Sequence, residues 1–209
     1  MSKPHLQASN LACVRDGRWL FRELHLELGP GRALQVEGAN GAGKTSLLRI
    51  LCGLTPPRAG EVRWRGLDIR RCREDYHASL LYLGHQPGLK DELTALENLR
   101  FAHALHGHTH EEQALEAALD QVGLYGYEDV PVRALSAGQR RRVALARLWL
   151  NRAPLWVLDE PFTAIDRRGI VALEQVMAGH LGRGGLLILT SHQPVELPGM
   201  TLERLELAA

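Results

Sequence analysis

Cysteine is scarce in this chain. Cys13, Cys52 and Cys72 are the only three in 209 residues, an odd number with no C-x-x-C pair. That argues against a disulfide framework and a zinc ribbon and fits a reducing cytosol. Long hydrophobic runs are missing too. Stretches such as Gly185–Leu189 are far too short to span a bilayer. The opening Met1-Ser2-Lys3-Pro4-His5 lacks the apolar segment of a signal peptide. A role at a membrane would therefore need another chain to hold this one there, with no direct insertion. Neither sign of charge dominates: Lys+Arg 25 against Asp+Glu 24 leaves +1, so no overall field pulls the chain onto nucleic acid or anionic lipid. Internal repeats and low-complexity tracts are absent. What is present, 45% hydrophobic residues, suffices for one α/β domain over 1–209 with a small subdomain.

The order of patterns supports that class. Leu24, Leu26 and Leu28 alternate with polar residues and predict a half-buried strand before the Gly29-Pro30-Gly31 turn. A strand over Ala33–Glu37 runs into a glycine-rich loop, and Lys44–Leu51 reads as a helix stopped by Gly53. Glu61–Trp64 and Leu80–Leu83 are further strands. Thr94 with Glu97, Thr109 with Glu112, and Ser136 with Gln139 have capping-box spacing. They open helical segments Ala95–His106, Glu111–Val122 and Gln139–Leu150, so about 88–150 forms an inserted helical subdomain. Strand Leu155–Asp159, helix Asp166–Leu181 and strand Leu186–Thr190 then restore the rhythm of a parallel sheet. Thr201–Leu207 reads as an edge strand.

Gly38-Ala39-Asn40-Gly41-Ala42-Gly43-Lys44-Thr45 matches the phosphate-loop pattern in full, after a strand and before a helix. Its glycines let backbone N–H groups converge on phosphate oxygens, and the helix adds its positive end. Lys44 is placed for the β/γ-phosphates, the Thr45 hydroxyl for Mg²⁺, and Ser46 joins the nucleotide contacts. A glycine turn that binds nothing is the plainer reading, and the strand–loop–helix context speaks against it. Leu155-Trp156-Val157-Leu158 is apolar throughout, as for a strand covered on both faces. It ends in Asp159-Glu160 where ligands of parallel sheets bind. Asp159 suits Mg²⁺, through water, and Glu160 suits orientation or deprotonation of the attacking water. Alone, the pair would read equally well as a helix cap.

Together these residues resemble the ATP-binding-cassette (ABC) family. Leu135-Ser136-Ala137-Gly138-Gln139 is similar to its signature, with Ala137 in place of a glycine. Gln86 resembles the Q-loop glutamine, Ala164-Ile165-Asp166 the D-loop, and His192 the switch histidine. The resemblance covers essentially the whole chain. It implies a P-loop NTPase core of the ABC type with a parallel sheet, a small N-terminal antiparallel β part and the helical insert. It also implies ATP and Mg²⁺ as cofactors, with Thr45, Gln86 and Asp159 toward the metal and Glu160, His192 and Lys44 as the catalytic set. Ser136, Ala137, Gly138 and Gln139 would face ATP held by a second copy, so that one site needs two protomers. Arg15 stands where the family often places an adenine-stacking aromatic, and a guanidinium plane can also stack.

Within the family, Gly84-His85-Gln86-Pro87-Gly88, Leu93–Leu99, Arg141–Trp149, Leu158–Asp166 and His192-Gln193-Pro194 resemble the ATPase subunits of bacterial cytochrome c maturation systems. That implies a homodimer on the cytoplasmic face of the inner membrane, bound to integral membrane subunits. The resemblance also implies that hydrolysis is coupled to haem export or delivery and to release of a haem-loaded chaperone. Another small-substrate exporter subunit, a soluble ABC ATPase acting on DNA or ribosomes, and a non-hydrolysing nucleotide switch are the rivals. The second commonly carries two cassettes or long insertions, absent here, and Glu160 with His192 argue against the third. The short tail after His192 predicts no appended regulatory domain. His103, His106, His108 and His110 read as a solvated inter-helix turn. Arg63, Arg65, Arg70, Arg71 and Arg73 read as a solvated strand edge, and Arg140-Arg141-Arg142 as one helix face near the dimer interface.

Overall fold

The computed structural model describes residues 5–105 and 111–207. Its frame is a five-stranded sheet, every neighbouring pair parallel. Before it come β1 (Leu6–Arg15) and β2 (Arg18–Leu28), a hairpin turned by Asp16 and Gly17, both at positive φ. β3 (Ala33–Glu37) leads through the glycine loop into α1 (Lys44–Leu51). β4 (Ala59–Trp64), β5 (Leu67–Asp68), α2 (Arg73–Ala78) and β6 (Leu80–Leu83) follow. Three helices come next: α3 (Ala95–Ala104), α4 (Glu112–Gln121) and α5 (Ala137–Leu150). β7 (Leu155–Leu158), α6 (Arg167–Gly182), β8 (Leu186–Thr190) and β9 (Leu202–Glu206) close the chain. The parallel sheet runs β6-β7-β8-β3-β9, and β2-β1-β4-β5 form a separate antiparallel sheet.

Strand alternation sends successive side chains to opposite faces of the parallel sheet. Leu155, Val157, Leu186, Ile188, Leu34 and Val36 bury against α1 and the antiparallel sheet. Trp156, Leu158, Leu187 and Leu189 bury against α5, α6 and the helical insert. Both faces are covered, which is why β7 and β8 carry no polar residue until their ends.

Ser136 and Thr94 each complete a reciprocal capping box with Gln139 and Glu97, as their spacing predicts. α4 departs from the expectation. Its N-cap is Glu111, without a side-chain cap bond, and Thr109 lies outside the described residues. α5 begins at Ala137, directly after the capping serine, rather than at Gln139. Two arginines of the basic stretch are paired: Arg63 bonds Glu61 at 2.8 Å, and Arg70 grips both oxygens of Asp68. His103 is not solvated as expected but buried on α3. His106, His108 and His110 lie outside the described residues.

Candidate functional site

Four adjacent strands of the sheet discharge their carboxyl ends at one edge. β3 delivers the glycine loop, β7 delivers Asp159 and Glu160, β8 delivers Thr190 to His192, and β6 delivers Gly84 and His85. A cleft of about 730 Å³ opens there. Its walls include Ala39–Gly41, Gly43–Ser46, Asp159, Glu160 and His192, with Arg15, Arg18 and Leu20 of the first hairpin opposite.

The loop curls because its glycines take conformations other residues avoid: Gly38 has φ 142, Gly41 φ 84 and Gly43 φ 103. At Gly43 a β-carbon would sit 3.0 Å from Leu20 Cβ, so any other residue would press the loop away from β2. Lys44 is buried, and its Nζ donates to Gly38 O at 2.7 Å and Ala39 O at 3.3 Å. Two loop carbonyls thus aim the ammonium into the cleft, where a phosphate can take its remaining valence.

The acids are tied to neighbouring strands. The Thr45 hydroxyl donates to Asp159 Oδ2 at 2.8 Å, and the Thr190 hydroxyl donates to Asp159 Oδ1 at 2.8 Å. Thr190 also accepts from the Glu160 N–H at 2.9 Å. Glu160 itself adopts a left-handed backbone, φ 51. Such strain clusters at functional sites. His192 Nε2 approaches Glu160 Oε1 at 3.5 Å. That oxygen is buried and accepts no hydrogen bond among the described residues. A buried acceptor without a donor, on a cleft wall, is a seat for a water molecule.

These residues fit Mg²⁺ and a polyphosphate. Thr45 Oγ1 and Asp159 Oδ2 stand 2.8 Å apart. Thr45 would hold Mg²⁺ directly and Asp159 through water, and the metal would neutralise charge on the phosphate oxygens. Lys44 and the loop N–H groups supply the positive surround that phosphates require.

Other sequence-predicted residues lie elsewhere. Gln86 is exposed, and from this segment it is His85 that lines the cleft. The chain leaves β6 through Gly84, whose carbonyl is held by Arg141, and this turn presents the preceding side chain instead. Ser136–Gln139 stand apart from the cleft at the start of α5, with Gly138 close to Ala164. Arg15 does line the cleft, with Asp16 beside it, and the described cleft-lining residues include no Phe, Tyr or Trp. Trp19 is instead covered by the Arg22 guanidinium, 3.8 Å from its ring centre.

Three participants escape the motif reading. Thr190 bridges the acids. Asn98, buried on α3, accepts from Lys90 N–H and donates to three carbonyls of the 90–94 turn, fixing the path after Gly88. Arg141 reaches the strand ends from α5. The three arginines after the signature do not share one face. Arg140 folds back onto Leu135 O and Arg133 O, Arg141 is buried, and Arg142 lines a groove with α4 and α6.

A phosphate loop on a parallel sheet, an acid pair on the next-but-one strand and a capped signature helix define a P-loop ATPase of the cassette type. The ABC transporter family model matches residues 21–163. The cytochrome c biogenesis ATP-binding export protein CcmA of Methylococcus capsulatus is 55% identical over 95% of this chain and 96% of its own length. The CcmA of Escherichia coli K12 is 55% identical over 97% of this chain and 96% of its own. A solved ATP-binding subunit of an ABC transporter superposes with TM-score 0.80 at 27% identity, covering 90% of this chain and 79% of that one. The chain belongs to the ABC transporter family, in its branch of CcmA-type cytochrome c biogenesis ATP-binding export proteins. It is a nucleotide-binding, ATP-hydrolysing subunit of a transporter.

Proposed function

We propose that this chain drives an export complex serving cytochrome c biogenesis, as the ATPase subunit that works in pairs at a membrane. The observation that carries the hydrolytic part is the chain of contacts Thr45–Asp159–Thr190, ending at the backbone N–H of Glu160, whose buried Oε1 accepts no hydrogen bond among the described residues and lies 3.5 Å from His192 Nε2. The cytochrome c part is supported by relatives of that name matching nearly the full length.

In this reading Lys44 and the N–H groups of 38–46 bind the phosphates, while Thr45 and Asp159 hold Mg²⁺. The metal supplies charge neutralisation on the phosphate oxygens. Glu160 orients water and takes its proton. His192, beside Glu160, holds that water's orientation from the opposite side. Arg15 packs against the base. Ser136–Gln139 stand away from this cleft with a free, capped helix start, which suits the phosphate of ATP held by a second copy. The helical insert over about 88–150 then responds to the site through the segment bearing Gln86, which α5 holds through Arg141 and Arg147.

The membrane side is supported by a groove of about 230 Å³ between α1, α2, β6, α3 and α5, lined by Leu54, His77, Tyr82, His103 and Arg147. Leu54, and Phe101 and Leu105 at the end of α3, are exposed large apolar residues, the kind of surface a partner covers. No described helix is long and apolar enough to cross a membrane, so integral subunits would seat there. The place of action is the cytoplasmic face of the inner membrane, and the coupled event is haem delivery with release of the haem-loaded chaperone.

Glu160→Gln tests both halves. It should bind ATP, cut turnover at least about 100-fold and accumulate as an ATP-bound dimer, read by steady-state ATPase and size-exclusion chromatography. Expressed in place of the wild-type chain, it should abolish haem attachment to c-type cytochromes. Normal turnover would overturn the role of Glu160. Loss of turnover with unimpaired haem attachment would overturn the cytochrome c assignment alone.

A further inference from the structure

Past Leu83 and Leu158 the strands β6 and β7 part company. The last backbone bond between them is Asp159 N–H to Leu83 O at 2.8 Å. Beyond it one chain turns into the segment carrying Gln86 and the other into the left-handed bend at Glu160. Among the described residues one side chain bridges the gap. Arg141 donates through Nη1 to Gly84 O at 2.6 Å, with His85 O at 3.5 Å, and through Nη2 to Asp159 O at 2.6 Å and Glu160 O at 3.0 Å. The residue is only 7% exposed. The planar guanidinium fork matches two carbonyl pairs on neighbouring strands, a geometry that a lysine ammonium does not reproduce.

The position of Arg141 gives that bridge a function. It lies on α5, the helix whose N-terminus is the capped signature Ser136–Gln139. The two are about one and a half turns apart, roughly 7 Å along the axis. On the composite-site reading above, that N-terminus contacts ATP on the opposite copy, whereas Glu160 serves the copy's own cleft. One rigid helix therefore touches both sites of the dimer. A displacement of its first turn, on meeting the opposite nucleotide, is transmitted by the fork to the carbonyls that set the backbone at Asp159 and Glu160.

We propose that Arg141 is a positioning residue that locks the catalytic acid pair and the Gln86 segment to the signature helix, so that Glu160 is aligned only when the same copy's signature has engaged the opposite ATP. The proposal rests on the two-copy site. It concerns alignment for hydrolysis and leaves ATP capture to the phosphate loop.

The test uses full-length Arg141→Gln and Arg141→Lys. Binding of a non-hydrolysable ATP analogue is measured per chain, and single-turnover hydrolysis of bound ATP is measured alongside. Both variants should bind one analogue per chain within about threefold of wild-type affinity. Single-turnover hydrolysis should fall at least tenfold in Arg141→Gln, and Arg141→Lys should regain only a small part of it. Hydrolysis within twofold of wild type in either folded variant would overturn the proposal. So would parallel loss of affinity and rate, which marks a merely structural role, or full rescue by lysine, which marks a simple charge effect. The underlying site reading fails separately, if Lys44→Ala binds the analogue normally.

Discussion

Removing one hydroxyl should disable this ATPase while leaving it able to hold ATP. Thr190 is fully buried at the end of β8, donating to Asp159 Oδ1 and accepting from the Glu160 N–H. Thr190→Val keeps the shape and deletes both bonds. A buried group left without its partner costs about 1–3 kcal/mol. Asp159 keeps its second oxygen on Thr45 and the Glu160 N–H is only partly buried, so the total should fall near 2–4 kcal/mol. For a chain of this size each kcal/mol moves the melting point by about 2–4 °C, giving a drop of about 5–15 °C. Catalysis has its own loss. The left-handed backbone of Glu160 stores about 1–3 kcal/mol of strain, and Thr190 is the side chain that holds its N–H. Once released, the carboxylate relaxes from its place, and kcat should fall about 10- to 100-fold. ATP affinity, set by the loop after β3, should stay within about threefold. Thr190→Ser should restore most of the rate. Wild-type kcat in Thr190→Val, or an ATP affinity that falls with the rate, would refute the claim that Thr190 acts by holding Glu160.

Lys44→Ala removes the ammonium aimed by Gly38 O and Ala39 O and should weaken ATP binding at least about 100-fold in a fluorescent-nucleotide titration; unchanged affinity contradicts the phosphate-loop assignment. Gly38→Ala places a β-carbon 2.8 Å from Leu207 O at φ 142, so the loop must shift, and both the melting point and ATP affinity should fall; a variant that melts and binds normally would show the contact to be soft. Burial against Trp156 pushes the His180 imidazole down to about 4 from its ordinary 6.5. The folded chain then takes up that proton less readily than the unfolded one, so the contribution is intact above about pH 6.5 and is lost as pH falls toward 4. The span corresponds to about 3 kcal/mol, and His180→Phe should flatten the urea-denaturation stability profile over that window; an unaltered slope would clear His180 of the effect.

Much of the frame was readable from punctuation. Ala33–Glu37, Lys44–Leu51, Leu80–Leu83 and Leu186–Thr190 form as expected, because glycines, caps and short apolar runs bound each of them. β1 is illegible for a physical reason. Register shifts and the positive φ of Asn10 break its alternation into a buried–exposed–buried pattern that no period of two fits. α2 is missed because Cys72 offers no side-chain cap and the helix has six residues. At the site, the phosphate loop and acids announce themselves because their chemistry demands a fixed spacing along one stretch. Thr190 and Arg141 do not, since each works on atoms contributed by other strands. A cue for Arg141 existed all the same. Three consecutive helical residues project about 100° apart, so Arg140-Arg141-Arg142 could never line one face, and the middle one had to point somewhere its neighbours did not.

α5 deserves its arginines for a reason that joins the site to the groove. The helix is about 21 Å long at 1.5 Å per residue, and each stretch of it holds a different part of the molecule. Ser136 and Gln139 cap its start, where a second copy's ATP would meet it. Arg141 holds Gly84 and Asp159. Near the far end Arg147 donates to Gly88 O and lines the groove with His77 and Tyr82. The segment 84–88 is therefore pinned to the same helix at both ends, by Arg141 and by Arg147. A partner pressed into the groove beside Arg147 must disturb that segment or tilt α5, and either motion reaches the carbonyls of Asp159 and Glu160. On the proposed two-copy site, coupling would need no flexible relay, because one helix is common to the signature, the acid pair and the groove wall.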